Sequence, residues 1–349
     1  MIPPLPPGPE FPPRRRRPPG LEVNVPDLYH ELDLLLQQIP VGRVTTYGAL
    51  ALALGHIVAA RWVATYLLQE HEHRAGCACH RVVRINGDIG HYVTGDPRNK
   101  IALLYAEGVP VVDNRVDLDR FGFNDFISDA PLRALQEYQD RLVSRVRLRT
   151  PRQLPDYVGG VDLAYVSPRL AVAAYALVSV ESGELVWSKK FTHAVSFPYI
   201  QSYLSFRELP VLLPLLEEVE RERRLSPLIF VDGNGMLHQR HAGIATNLGV
   251  AAELSTIGVG KSLLCGSVQK SAGGMLEGQP VVYEGRVVAV ALTASPRNRP
   301  IYVSPGHRID LERAVEMVKR LFHGHRLPEP VHFAHHLSTA EARRLAALT

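Results

Sequence analysis

The sequence predicts an α/β protein of two units, a mostly helical one followed by a mixed sheet with flanking helices. Three observations carry this expectation. The 349 residues exceed what one hydrophobic core usually spans. Apolar residues recur at helical spacing early in the chain, and after Pro151 and Pro155 the pattern turns to short β-type runs. Helical stretches then fall between several of those runs, as in a mixed α/β sheet.

Residues 1–25 are rich in Pro and Arg, and Arg14 to Arg17 stand among prolines. Such a segment cannot bury a core, so it reads as a mobile leader, either merely solvated or touching phosphates. Asp27 can cap a helix through about Gln38, which Pro40 and Gly42 stop. Val44 to Leu54 begins β-like and becomes helical. A second helix is expected from about Val58 to Gln69, with Arg61 near its start, then a loop and a short strand at His80 to Ile85. The first unit is expected to cover 26–126 and the second 127–349.

The second unit opens with a helix over about Ala130 to Val146, with Leu132, Leu135, Tyr138 and Leu142 on one face. Tyr157 to Tyr165, Leu170 to Val180 and Glu184 to Phe191 read as strands, the last two joined by a turn at Ser182 and Gly183. Further strands are expected at Leu228 to Val231, Thr256 to Val259, Val281 to Tyr283, Val287 to Leu292 and Ile301 to Val303. No internal repeat is visible.

Composition narrows the class. No apolar run approaches the roughly 20 residues that span a bilayer, and the Pro/Arg start is no signal peptide, so a membrane or secretory reading fails. Three cysteines, an odd number, argue against a disulfide framework and for a reducing, cytoplasmic setting. The net charge of +4 favours a polyanionic partner.

Asp162 sits in the apolar run YVGGVDLAYV and Asp232 ends LIFVDGNG, so both carboxylates ride on sheet elements. Burying an unpaired carboxylate is costly, and each implies a compensating cation, hydrogen bonds or a retained proton. Glu208, in LSFRELP, can add a third oxygen. For any one of them a capping role is the plainer reading; three together suit Mg²⁺ or Mn²⁺ and phosphodiester hydrolysis. GVGKS lacks the first glycine of a phosphate loop, that position being Ser255. Asp310 reads as a helix cap. In CACHRVV, Cys79 beside His80 admits three readings: a thiolate nucleophile, a small buried hydrophobe, or a zinc ligand with His71, His73, Cys77 and His80.

The segments GVDLAY, FPYI with LSFRELP, VDGNGMLHQRHAGIAT, TIGVGKSLL and YVSPGHRID, in that order, resemble endonuclease V over about residues 130–338. The resemblance implies an RNase H-like fold and Mg²⁺-dependent nicking at the second phosphodiester bond 3′ of a deaminated base, chiefly inosine. It matches Asp162, Glu208 and Asp232 to the metal and catalytic carboxylates, Lys261 and His307 to basic active-site residues, and Tyr199 to the aromatic wedge. PYIQS, with Gln201 where a proline is usual, and HQRH in place of HPRR depart from the pattern, and bear on lesion recognition more than on catalysis.

IPVGRVTTYGALA, AARWVA, CHRVV, NGDIGHY and KIALLYAEGV resemble the active-site domain of O6-alkylguanine-DNA alkyltransferases and alkyltransferase-like proteins, over about residues 26–123. This implies a helix-turn-helix in the minor groove and a flipped guanine whose alkyl group passes to a cysteine. Tyr47 matches the strand-turning aromatic, Arg61 the finger, Cys79 the acceptor, and His80 with Glu107 its activation. Alkyltransferase-like proteins lack the acceptor, so its retention points to alkyl transfer; Ala78 and the loop QEHEHRAGCA depart from the family. Cys77 is expected as a buried filler, with a resolving thiol as the other reading. Together the two resemblances imply a bifunctional repair protein acting on DNA with deaminated or alkylated bases. The rival pairs a non-catalytic lesion-binding unit with a nuclease for inosine-containing RNA.

Overall fold

A computed structural model describes residues 9–12, 25–70, 77–92, 94–149, 151–269 and 278–348. The chain divides into two compact units, Asn24–Glu137 with Phe197–Gln201, and Tyr138–Ser196 with Ser202–Thr349.

In the first unit, Asp27 caps α1 (Leu28–Gln37) by accepting from the backbone N–H groups of Tyr29 and His30 at 3.1 and 3.2 Å. β1 (Thr45–Thr46) pairs in parallel with β2 (Val82–Val83). The Thr46 hydroxyl then caps α2 (Tyr47–Ala53), so strand passes to helix at one residue inside the stretch Val44 to Leu54, for which the sequence predicts a β-like start and a helical end. A short 3-10 turn, Ile57–Ala59, leads into α3 (Ala60–Thr65), and a π turn ends at Glu70. The strand expected over His80 to Ile85 shrinks to two residues, because Ala78–Arg81 wind as a 3-10 turn. α4 (Pro97–Ala106) and the short α5 (Leu118–Phe121) complete the unit. The apolar pattern hid α4: Leu103 and Tyr105 are exposed while Lys100 is buried, its ammonium donating to the carbonyls of Val82 and Ile89 at 2.6 Å each.

α6 (Pro131–Val143) runs across the division between the units. The second unit is a nine-stranded sheet in the order β5-β4-β3-β6-β7-β11-β10-β9-β8. Its strands are β3 (Tyr157–Ser167), β4 (Leu170–Ser179), β5 (Leu185–Ala194), β6 (Leu228–Asp232), β7 (Ser255–Gly260), β8 (Ser267–Val268), β9 (Gln279–Tyr283), β10 (Arg286–Leu292) and β11 (Ile301–His307). β3, β6 and β7 are mutually parallel and the other neighbours antiparallel. α7 (Leu204–Arg221) and α8 (Ile244–Ala252) share an apolar core with one sheet face, while α9 (Leu311–Arg320) and the start of α10 (Glu329–Ala346) share another. This is the mixed, RNase H-like sheet that the sequence implies.

The leader expected over 1–25 is seated where it is described. Phe11 packs against the α7 core, and its N–H donates to the Arg223 carbonyl at 2.8 Å. Arg14 to Arg17 lie outside the described residues.

Candidate functional site

The pairing of β3 with β6 sets the carboxylate centre. Val161 stands opposite Val231 in a parallel ladder, so the next residues, Asp162 within β3 and Asp232 at the end of β6, emerge side by side. α10 crosses β3 closely enough that a Cβ on Gly160 would lie 2.0 Å from the Pro330 carbonyl oxygen, an approach that only glycine permits. That approach brings His335 and Ser338 onto Asp162. The His335 Nδ1 lies 3.0 Å from Asp162 Oδ2, and the Ser338 hydroxyl donates to the same oxygen at 2.8 Å. Lys261, just after β7, forms an ion pair with Asp232. α7 presents Glu208 near its start, where the Tyr165 hydroxyl donates weakly to Oε1 at 3.5 Å and the Arg207 guanidinium lies 4.4 Å from the Tyr165 ring centre.

The electrostatics are those of negative charge crowded into a dry corner. Burial and the charges of Asp162 and Asp232 push Glu208 up to about 8. Burial and Asp162 push Asp232 up to about 7, against the opposing pull of Lys261. Burial alone would raise Asp162 too, but hydrogen bonds from His335 and Ser338 among others hold it below the usual range. Ligand atoms of Asp162, Asp232 and His335 lie within 4.8 Å of one another. Crowded carboxyl oxygens with an imidazole beside them fit a hard divalent cation, which would take the place of the retained protons.

Of the sequence-derived residues, Asp162, Asp232 and Lys261 are joined by contacts, and Glu208 shares their field. His307 closes β11 in the interior. It is 1% exposed, its Nδ1 accepts the Arg147 backbone N–H at 3.3 Å, and burial pushes it down to about 4. His335, which the sequence motifs do not single out, stands beside the carboxylates. The helix following Pro328 places His335 and Ser338 one turn apart, a spacing visible in HFAHHLS once that helix is foreseen. Tyr199 is 66% exposed, in the segment grouped with the first unit.

In that first unit, Cys79 and His80 are 6% and 7% exposed, at the 3-10 turn before β2. His80 Nε2 lies 2.8 Å from Glu107 Oε1, and Arg81 grips the same carboxylate with two hydrogen bonds, at 2.8 and 2.7 Å. Burial would raise Glu107, but Arg81 and His80 outweigh it and hold it down at about 2. Arg81 was not singled out by the motifs, although it directly follows His80. Tyr47 is half-buried at the start of α2, and Arg61 is exposed at the start of α3.

The cysteines correct two expectations. Cys77 is not the filler expected but is bonded to Cys79 in a disulfide, the bond that a resolving thiol would form, and the argument from an odd cysteine count against disulfides fails for this local pair. Two sulfurs separated by one residue meet within a single turn, with their Cα atoms 5.5 Å apart. Of the zinc candidates, His71 and His73 lie outside the described residues, Cys77 and Cys79 bind each other, and His80 turns to Glu107.

Two family models match, Endonuclease V over residues 140–336 and the DNA-binding domain of 6-O-methylguanine DNA methyltransferase over residues 28–109. A "Bifunctional methyltransferase/endonuclease" of Picrophilus torridus is 34% identical over 91% of this chain and 97% of its own length, and one of Thermoplasma volcanium is 30% identical over 89% of each. The catalytic domain of human endonuclease V superposes with a TM-score of 0.58 at 30% identity, covering 64% of this chain and all of that domain. The Ciona intestinalis endonuclease V, in complex with DNA containing an inosine followed by a ribo-adenosine, has a TM-score of 0.56 at 29% identity, covering 62% of this chain and all of that one. The chain belongs to the bifunctional methyltransferase/endonuclease family, with an alkyltransferase-type DNA-binding unit and an endonuclease V in one polypeptide.

Proposed function

We propose that the second unit nicks DNA near deaminated bases with Mg²⁺ held by Asp162, Glu208 and Asp232, and that the first transfers alkyl groups from O6-alkylguanine to Cys79. The juxtaposition of Asp162, Asp232 and His335 carries the nuclease reading, because three donors converge where the crowding of carboxylates makes Glu208 and Asp232 hold their protons until a cation replaces them. A bound divalent ion would lower the pKa of water and stabilise the leaving oxygen. Ser338 and His335 orient Asp162, and Lys261 offsets charge beside Asp232. Tyr199, exposed, is free to wedge between bases.

For the alkyl acceptor, the supporting feature is the His80–Glu107–Arg81 set. A carboxylate fixed by two partners orients the imidazole next to Cys79, and an oriented imidazole can take the thiol proton. Transfer requires the Cys79 sulfur as thiol or thiolate, so the competent form is the one in which the Cys77–Cys79 bond has been reduced.

Matched inosine-containing DNA and RNA strands, incubated with Mg²⁺, test the nuclease reading. Nicking of DNA by the wild type and none by Asp162→Ala is expected. Cutting by that variant at the wild-type rate would remove the site assignment, and cutting of RNA alone would replace the substrate. Labelled O6-methylguanine DNA should leave its label on Cys79 of reduced protein; binding without label would reduce the first unit to a lesion-binding module.

A further inference from the structure

A second cluster of metal-type donors lies in the nuclease unit, at the start of α10. Glu329 is the first residue of that helix, His332 lies one turn on, and His325 approaches from the segment between α9 and α10. His325 Nδ1 is 2.8 Å from Glu329 Oε1, and the His325 and His332 rings stack with centroids 3.6 Å apart and planes 12° apart. Ligand atoms of all three lie within 4.8 Å of one another. His336, a further turn on, packs its ring against His332 at 4.4 Å.

The Glu329 carboxylate is 2% exposed, so its charge is almost entirely removed from water. A single hydrogen bond from one imidazole is thin compensation for a buried carboxylate. Stacking adds nothing to that compensation, and each imidazole can offer a nitrogen lone pair to a metal. A buried carboxylate and two imidazoles whose ligand atoms lie within 4.8 Å of one another form a set ready for a cation. Two nitrogens and one oxygen form a borderline set that suits Zn²⁺ better than Mg²⁺, in contrast to the oxygen-rich centre around Asp162.

We propose that His325, Glu329 and His332 bind a Zn²⁺-class transition-metal ion that ties the first turn of α10 to the segment preceding it. The fourth tetrahedral place falls to water. The ion would act on the nuclease centre through the helix, because the next turn of α10 carries His335 and Ser338. His325, Glu329 and His332 are then positioning residues, whereas His335 belongs to the centre itself.

Full-length protein, stripped with a chelator and dialysed into millimolar Mg²⁺ to occupy the carboxylate centre, is titrated with Zn²⁺ against a chromogenic chelator. One tight equivalent is expected in the wild type and in Asp162→Asn. Its affinity should fall at least ~100-fold in His332→Ala and in His325→Gln, the latter altering a half-exposed side chain. Co²⁺ in place of Zn²⁺ should give a visible tetrahedral spectrum without a thiolate charge-transfer band. Zn²⁺ should also raise the melting temperature of the wild type but not of His325→Gln. Equal Zn²⁺ affinity in wild type and both histidine variants, or a thiolate band assigning the ion to the cysteines, would overturn the proposal. Loss of the equivalent in Asp162→Asn would instead assign it to the carboxylate centre and overturn it equally.

Discussion

Glu208 and Asp232 share a buried corner with Asp162, and each holds its proton more tightly than a free carboxyl. A carboxyl whose pKa is raised by folding loses stabilising effect as pH climbs, because the unfolded chain gives up that proton first. Without metal, stability should therefore fall as pH rises from about 4, the ordinary carboxyl range, through about 7 and 8 for these two groups. Mg²⁺ should restore it, and more so at pH 8 than at pH 5.5. Glu208→Gln should raise the metal-free melting temperature at pH 8 by several degrees, given that about 1 kcal/mol moves a domain of this size by roughly 2–4 °C, while abolishing nicking. A lower melting temperature in that variant would mean the carboxylate is compensated without metal.

Glu107 runs the other way. Its pKa is depressed from 4.5 to about 2, so its contribution is complete above about 4.5 and is lost as pH falls toward 2. Glu107→Gln should destabilise the first unit at pH 7 by about 1–3 kcal/mol, since Arg81 loses a buried charged partner. Its acid unfolding curve should also be flatter than that of the wild type. The neighbouring disulfide gives a second test by mass spectrometry. A dithiol reductant, giving two electrons and two protons to the Cys77–Cys79 bond, should switch on label transfer to Cys79, whereas Cys77→Ser should need no reductant. Transfer by untreated, fully oxidised wild type at the rate of Cys77→Ser would rule out the disulfide as a barrier.

Among the elements, β3 and α10 decide the nuclease centre between them, and their contact depends on Gly160. Ala there places a methyl carbon 2.0 Å from the Pro330 oxygen, so helix and strand must part. Gly160→Ala should cost about 1–3 kcal/mol, as overpacking does, and lower nicking by roughly 100-fold, as a shift of about 1 Å in a catalytic group can. Unchanged nicking with a lowered melting temperature would show that His335 follows Asp162 wherever the helix goes. Much of this layer was legible in the sequence. The strand runs around Asp162 and Asp232, the Asp27 cap and the strand-to-helix change at Tyr47 all follow from local periodicity and capping. What escaped was set by tertiary contacts. α4 turns a lysine inward, and His335 joins the site only through the packing of α10 on Gly160.

For the molecule as a whole, two units with separate sites should yield separable losses. Asp162→Asn should abolish nicking and leave alkyl transfer to reduced Cys79 unchanged, while Cys79→Ala should do the reverse. Tethering raises the local concentration of one unit once the other has engaged DNA. The intact chain should therefore find lesions faster than an equimolar mixture of its halves on DNA carrying both kinds of damage, and equal rates would remove any advantage of fusion.

α10 follows every other element of the nuclease centre in chain order, and this sets a schedule for synthesis. A chain still emerging from the ribosome can present all three carboxylates and Lys261 before His335 and Ser338 have been joined to it. Asp162 then lacks both of its orienting partners. A chain that lacks this helix should therefore nick far more slowly than the whole protein, and wild-type nicking by a protein truncated before Pro328 would contradict this.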